Sequence, residues 1–204
     1  MADTQALFRW QAIVVVAMMA LALTGCATAV GRGDAALHAG RPDEAVRYFE
    51  EALAGDPGRL DARVGLGIAR VRTRAWDAAI ATLDEVVAQA PSRADARLYL
   101  GIARLLHGDI SVAREQLGAL RGLPIHARIA AQLDRVLPLL AGGLDPTVRD
   151  LVAAGLDDAY EWATEVDQAR RTARALLEPR WTISWDHVYP SALYGPYRVW
   201  PSPP

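Results

Sequence analysis

The chain has 204 residues and a formal charge of −2, and all 22 of its basic residues are arginine. This near-neutral charge argues against a nucleic-acid partner bound by bulk electrostatics, because such binding needs a large excess of basic residues. The single cysteine excludes an intramolecular disulfide framework, and the high alanine content favours closely packed helices.

The first 25 residues have the pattern of an export signal. Arg9 supplies a positive charge, and an uninterrupted apolar run from Ala12 to Leu23 leads into Thr24, Gly25 and Cys26. This ending resembles the lipobox of bacterial lipoproteins. The resemblance implies cleavage before Cys26, acylation of that cysteine and, because Ala27 follows it, sorting to the outer membrane. Low polarity continues to Val30, so an uncleaved signal anchor is the alternative.

Residues 26–127 repeat themselves with a period of 34. Small residues recur where the two helices of a hairpin must approach closely, large apolar residues recur where the hairpin fills its core, and a proline recurs where the second helix must stop. The equivalent positions are Gly33, Gly67 and Gly101; Ala45, Ala79 and Ala113; Phe49, Leu83 and Leu117; Ala52, Val86 and Leu120; and Pro57 and Pro91, with Pro124 one position early.

This periodicity resembles the tetratricopeptide repeat (TPR) and predicts an all-α solenoid of about three helical hairpins. Arg63 and Arg97 stand where the family often has a tryptophan. An ordinary bundle of alanine-rich hairpins is the alternative. The glycines Gly31 and Gly33 lower the helical propensity of the first helix, which we therefore expect to be frayed or 3₁₀-like.

In the family, the first helix of each repeat lines a groove that binds peptides. The resemblance therefore implies an apolar partner-binding groove with one charge at its edge. Its members are Val64, Ile68, Val71, Arg72, Leu98, Ile102 and Leu105. Such a groove takes an apolar segment of a partner or of the chain itself. The alternative is that these residues simply pack on a following helix.

Two further helices are predicted over residues 128–178. The first carries an apolar stripe from Ile125 to Leu140, and the second begins with Asp145 as cap and Pro146 as first helical residue. A heptad seam follows the second helix, which predicts a capping helix along the end of the solenoid or, alternatively, an oligomerisation helix. The seam comprises Val148, Val152, Gly155, Ala159, Trp162, Val166, Ala169, Ala173 and Leu176.

Residues 179–204 form a tail rich in proline and aromatic residues. Disorder alone favours charge and few aromatics, so we expect this tail to dock, either on the chain's own groove or on a partner. A short strand is predicted around Trp181–Trp185. The docking residues are Trp181, Trp185, Tyr189, Tyr194, Tyr197 and Trp200.

No catalytic or metal-binding pattern is present in the sequence. The four histidines are scattered, and Ser184, Asp186 and His187 are too close in sequence to adopt triad geometry unaided. The carboxylate pairs Glu50-Glu51 and Asp157-Asp158 are expected on solvated helix faces. We therefore predict a protein that is not an enzyme and that uses no cofactor and no metal.

The sequence is interpreted as a lipid-anchored TPR scaffold that faces the periplasm and binds protein partners in a membrane complex. A permanent structural subunit of a larger complex is the second hypothesis. An accessory to a peptidoglycan-linked enzyme is the third. Similar lipoproteins assist the assembly of envelope machines, and this analogy favours the first.

Overall fold

The computed structural model describes residues 29–177, and within this range eight α-helices are joined by turns and short loops. The helices are α1 (29–38), α2 (Pro42–Gly55), α3 (Leu60–Arg72), α4 (Trp76–Gln89), α5 (Ala94–His107), α6 (Ile110–Arg121), α7 (Ala127–Leu139) and α8 (Pro146–Leu177). The chain divides into two compact units, whose described parts are residues 29–163 and 164–177. Cys26, the leader and the tail lie outside the described residues.

Successive helices from α2 to α7 pack side by side, and α3 also contacts α5 directly. Contact between helices two apart is the feature that makes a solenoid, because the first helices of neighbouring hairpins then line one common surface. The all-α, hairpin-repeat architecture predicted from the sequence is confirmed.

The interior of each hairpin contains a close contact between a glycine and a large side chain. A Cβ atom placed on Gly33 would lie 2.7 Å from the ring of Phe49, and one on Gly67 would lie 2.5 Å from Leu83. The third pair, Gly101 and Leu117, repeats this geometry at 2.6 Å. Ala45, Ala79 and Ala113 are completely buried beside these pairs. The predicted roles of the small and large repeat positions are therefore confirmed.

The turns within the three hairpins share a left-handed residue at the same repeat position. These residues are Gly40 (φ 67°), Arg74 (φ 62°) and Gly108 (φ 111°). The middle repeat places an arginine where the other two have glycine, which has no Cβ to clash in this conformation.

The two arginines at the tryptophan positions make the same polar contact in successive repeats. The guanidinium of Arg97 donates to the carbonyl of Pro91 at 2.8 Å, and that of Arg63 donates to the carbonyl of Pro57. These hydrogen bonds connect the first helix of the second and of the third hairpin to the loop that precedes it.

The expectation for the first helix was wrong. Residues 29–38 form a regular α-helix rather than a frayed or 3₁₀ segment. Ala29, Val30 and Ala36 are buried, and they form a core cluster with Phe49 of α2. Tertiary packing outweighs the propensity cost of the two glycines, one of which is needed to admit the Phe49 ring.

Helix α7 and the start of α8 lie close to the predicted residues. Asp145 caps α8, because its Oδ1 accepts a hydrogen bond from the backbone N–H of Thr147 at 2.8 Å. On α7, Ile129, Leu133 and Val136 are buried, as the apolar stripe predicts.

Candidate functional site

The apolar residues of the predicted groove form the floor of a surface on α3 and α5. They are all buried, with exposures from 0% to 7%: Val64, Ile68, Val71, Leu98, Ile102 and Leu105. They belong to one hydrophobic cluster with residues from the first half of α8, namely Val152, Ala153, Leu156, Ala159 and Ala163. The alternative that these residues pack on a following helix is therefore the arrangement found, and their use by a partner stays a prediction.

The part of α8 that packs here, residues 146–163, is called the groove segment below. Its direction is set by two contacts with α5. Tyr160 meets the ring of Tyr99 edge to face at 5.1 Å, and Arg149 lies against Gly108 at the other end of α5. The start of α5 therefore contacts the end of the groove segment, and the end of α5 contacts its start. The groove segment runs antiparallel to α5.

Arg72, the single charge predicted at the groove edge, holds the groove segment on the α3 side. Its Nη2 donates to Asp157 Oδ1 at 3.1 Å and to Glu161 Oε1 at 2.5 Å. Its Nη1 donates to the carbonyl of Leu37 at 3.3 Å. Burial by itself lowers the pKa of Arg72, but the neighbouring Tyr99, Asp157 and Glu161 outweigh it and the net pKa is raised. The guanidinium therefore stays charged in this position.

Tyr99 is the second anchor of the groove segment, and the sequence did not reveal it. The side chain is fully buried, and its hydroxyl donates to Asp157 Oδ1 at 2.5 Å. Burial raises the pKa of Tyr99, and the negative charge of Asp157 raises it further. The predicted solvated position of Asp157 is wrong, because this carboxylate accepts from both Tyr99 and Arg72.

The predicted heptad seam is correct at only part of its length. Val152 and Ala159 face the core, whereas Val148 and Trp162 are 39% and 40% exposed. The buried stripe instead includes Ala153, Leu156 and Ala163. The groove segment lies along α5 rather than along the end of the solenoid. Its stripe therefore follows the positions that meet α5 rather than a strict period of 3.5. The later seam positions Val166, Ala169, Ala173 and Leu176 are not buried.

On its other side the groove segment contacts α7. Trp162 packs edge to face on His126 with ring centres 5.3 Å apart, and the guanidinium of Arg128 lies 4.6 Å from the Trp162 ring centre. A Cβ atom on Gly155 would lie 2.8 Å from Nε2 of Gln132. The groove segment is therefore held between α3 and α7, with α5 beneath it.

A cleft of about 310 Å³ remains between the groove segment and α3. Its apolar wall includes Val71, Ile102 and Leu106, and the groove segment contributes only the small side chains of Ala153 and Ala154 beside its acidic residues. The indole of Trp76 also lines the cleft, and its buried N–H has no hydrogen-bond partner. The groove segment thus fills the groove incompletely.

Among residues 29–177, no group of histidine, cysteine, aspartate and glutamate side chains is arranged to hold a metal ion. Over the same residues, no helix is both long enough and apolar enough to cross a bilayer. His107 contacts Asp77 and Asp109, each at 3.2 Å, at an exposed helix end. Ser184, Asp186 and His187 lie outside the described residues, as do Cys26 and the six aromatic residues of the tail.

The 34-residue period, the hairpin pairing and the common inner surface together define a tetratricopeptide-repeat solenoid. Residues 36–97 match the family model described as Tetratricopeptide repeat. No match was found among curated proteins.

Solved structures share this fold at low sequence identity. The first TPR of Spaghetti (RPAP3), solved with the HSP90 peptide SRMEEVD, is 19% identical over 58% of this chain and 95% of its own, with a TM-score of 0.52. The second TPR domain of human RPAP3, solved with an HSP70 peptide, is 16% identical over 59% and 98%, with a TM-score of 0.52. MamA is 23% identical over 72% and 81%, also with a TM-score of 0.52.

Proposed function

We propose that this chain is a lipid-anchored scaffold that binds a protein partner at the bacterial cell envelope, in the assembly or stabilisation of a membrane complex. The observation that carries the proposal is the groove itself, since the inner faces of α3 and α5 already hold an α-helix along their length. A surface that binds one amphipathic helix has the shape and chemistry for helical recognition in general.

Two similar solved structures support binding of protein segments by this fold, because both RPAP3 domains were solved with peptides. Support for the anchor comes from the sequence alone. The apolar run that ends in Thr24, Gly25 and Cys26 has the form of a lipobox, and Ala27 favours the outer membrane with the scaffold facing the periplasm.

The tail is the proposed second contact with the partner. The chain's own groove is the alternative docking surface for the tail. In the structure, however, the apolar residues of this groove are already buried in the core that the groove segment completes: Val64, Ile68, Leu98 and Ile102. This occupancy favours an arm that reaches a partner protein over an arm that folds back into the groove.

The anchor is tested by replacing Cys26 with alanine. We expect the wild-type chain to incorporate a labelled fatty acid and to fractionate with the outer membrane, and Cys26→Ala to lose the label and remain as an unprocessed or soluble precursor. A Cys26→Ala chain that is still cleaved after Gly25 and still membrane-bound would contradict the anchor.

The partner is tested by capture from detergent-solubilised envelopes with wild-type bait, bait lacking residues 180–204, and an unrelated lipoprotein as control. We expect a protein recovered in stoichiometric amount with the wild type and lost with the truncated bait. The permanent-subunit hypothesis predicts instead that the chain never purifies alone. Equal recovery with the control bait would contradict both.

A further inference from the structure

The groove segment combines a small apolar contact area with charged hydrogen bonds on the α3 side. Of its five buried apolar residues, three are alanines, Ala153, Ala159 and Ala163, and only Val152 and Leu156 are larger. Because apolar stabilisation scales with buried area, a helix with alanines at these positions gains less than one with leucines there. Asp157 and Glu161, one turn apart, supply the charged contacts to Arg72.

Two features of the groove are left unused by the groove segment. The cleft beside Ala154 is open, and its wall of Val71, Ile102 and Leu106 has no large apolar side chain opposite. In addition, the buried Nε of Arg72 has no hydrogen-bond partner. An arginine donates most favourably when a carboxylate accepts from two of its nitrogens, so the existing contact leaves a donor for another ligand.

We infer that the groove segment is an internal pseudo-ligand, and that the groove's external ligand is a partner helix with two carboxylates one turn apart and a large apolar residue at the position equivalent to Ala154. The carboxylates replace Asp157 and Glu161 at Arg72, and the apolar side chain enters the cleft. The partner helix must displace the groove segment to bind. This inference rests on the proposed scaffold function and names the class of its ligand.

A ligand of this chemistry gains over the groove segment at two points, the open cleft and the unpartnered Nε of Arg72. The groove segment has the advantage of being in the same chain, which raises its effective concentration. The partner helix therefore binds only at a concentration high enough to displace the groove segment. Any change that weakens the contacts of the groove segment lowers this concentration.

The test uses the full chain in detergent and two labelled peptides as probes. One has the sequence of residues 146–163, and the other carries the change equivalent to Ala154→Leu. We expect the second peptide to bind the Asp157→Asn variant about tenfold more tightly than it binds wild type, because the groove segment of the variant has lost one anchor. The first peptide should bind every form more weakly than the second does.

The matched control is Asp158→Asn, since this neighbouring carboxylate is exposed and its nearest cation, Arg128, is 3.9 Å away. Peptide affinity for this control should equal that of wild type. Adding Arg72→Gln to Asp157→Asn should abolish the gain. Equal peptide affinity for wild type, Asp157→Asn and Asp158→Asn would overturn the inference. A wild-type dimer formed by exchange of α8 would also overturn it, since the ligand would then be a second copy.

A second measurement needs no variant. In the wild-type chain, amide hydrogens of residues 150–163 should exchange at least about tenfold faster than those of residues 98–105 in α5, because the groove segment opens without global unfolding. Equal rates would show that the segment leaves only when the whole unit unfolds, and would overturn the inference. A failed capture experiment with positive peptide and exchange results would instead count against the cellular role alone.

Discussion

The hairpins from α1 to α6 and the groove segment of α8 share one solenoid, but their contacts differ in kind. Within the hairpins, Phe49, Leu83 and Leu117 occupy space that exists only because a glycine faces each of them. The groove segment meets its surface largely through alanines, two larger residues and a cluster of hydrogen bonds around Asp157. Interlocked packing tolerates neither lost nor added atoms, whereas a polar attachment can be exchanged for a similar one.

The largest expected effect is in the hairpins. Leu83→Ala removes a completely buried side chain and leaves a cavity against Gly67, so unfolding free energy should fall by about 2–5 kcal/mol in chemical denaturation. A loss below about 1 kcal/mol would mean that the hairpin interior collapses freely to fill the gap, and the contrast with the groove segment would not hold.

Adding a single methyl group tests the same contact from the other side. Gly67→Ala places a Cβ atom 2.5 Å from Leu83, which should cost about 1–3 kcal/mol of stability. In a Leu83→Ala background the added methyl enters the cavity, so the double variant should be more stable than the sum of the single changes predicts. Additive effects in this double-mutant cycle would contradict a direct Gly67–Leu83 contact.

Removal of the buried hydroxyl tests the polar attachment. Tyr99→Phe deletes a hydrogen bond to a charged acceptor and should cost about 1–2 kcal/mol in thermal or chemical denaturation. The pKa of Tyr99 is raised in the folded state, so its contribution is complete below the unfolded pKa and is lost as pH rises further. The stability difference between wild type and Tyr99→Phe should therefore shrink above pH ~10, the unfolded pKa. A difference independent of pH from 8 to ~11 would contradict the buried phenol.

The smallest effect is a gain. Gly118 lies within α6, and a Cβ atom added there meets no atom within 4 Å. Gly118→Ala should therefore raise stability by about 0.5–1 kcal/mol, because alanine loses less conformational freedom than glycine in a helix. The opposite signs for Gly67→Ala and Gly118→Ala separate a packing requirement from helical propensity. A loss of stability in Gly118→Ala would show that the α6 surface is covered.

The hairpin interiors could be predicted from the sequence because both partners of each contact recur at fixed spacing. Gly67 and Leu83 lie on the two helices of one hairpin, so their contact is local in the chain and repeats in the neighbouring copies. For the groove, the sequence predicted which residues belong to it but not what covers them. The alternative, that a following helix covers them, could not be decided, since period and polarity are the same in both cases.

Asp157 shows why the contacts of the groove segment could not be predicted from the sequence. As one of two adjacent carboxylates on a charged helix, it has the local pattern of a solvated position, and its neighbour Asp158 is indeed 78% exposed. What distinguishes them is the rotation of α8 against α5, which points Asp157 at Tyr99 and Arg72, residues 58 and 85 positions away. A rotation of one residue about a helix axis changes every such partner, and no local pattern encodes it.

By itself, the sequence determined the repeat period, the all-helical hairpins, the pairs of a glycine and a large side chain inside them, the apolar stripe of α7 and the cap at the start of α8. These features follow from short-range sterics and helical periodicity, which each segment carries in its own residues. Only the tertiary structure decided that α1 is a full helix, that the groove segment lies antiparallel on α5, and that Tyr99, Arg72 and Asp157 meet. Those outcomes depend on which distant surfaces bury each other, and the hydrophobic effect that drives them has no direction of its own.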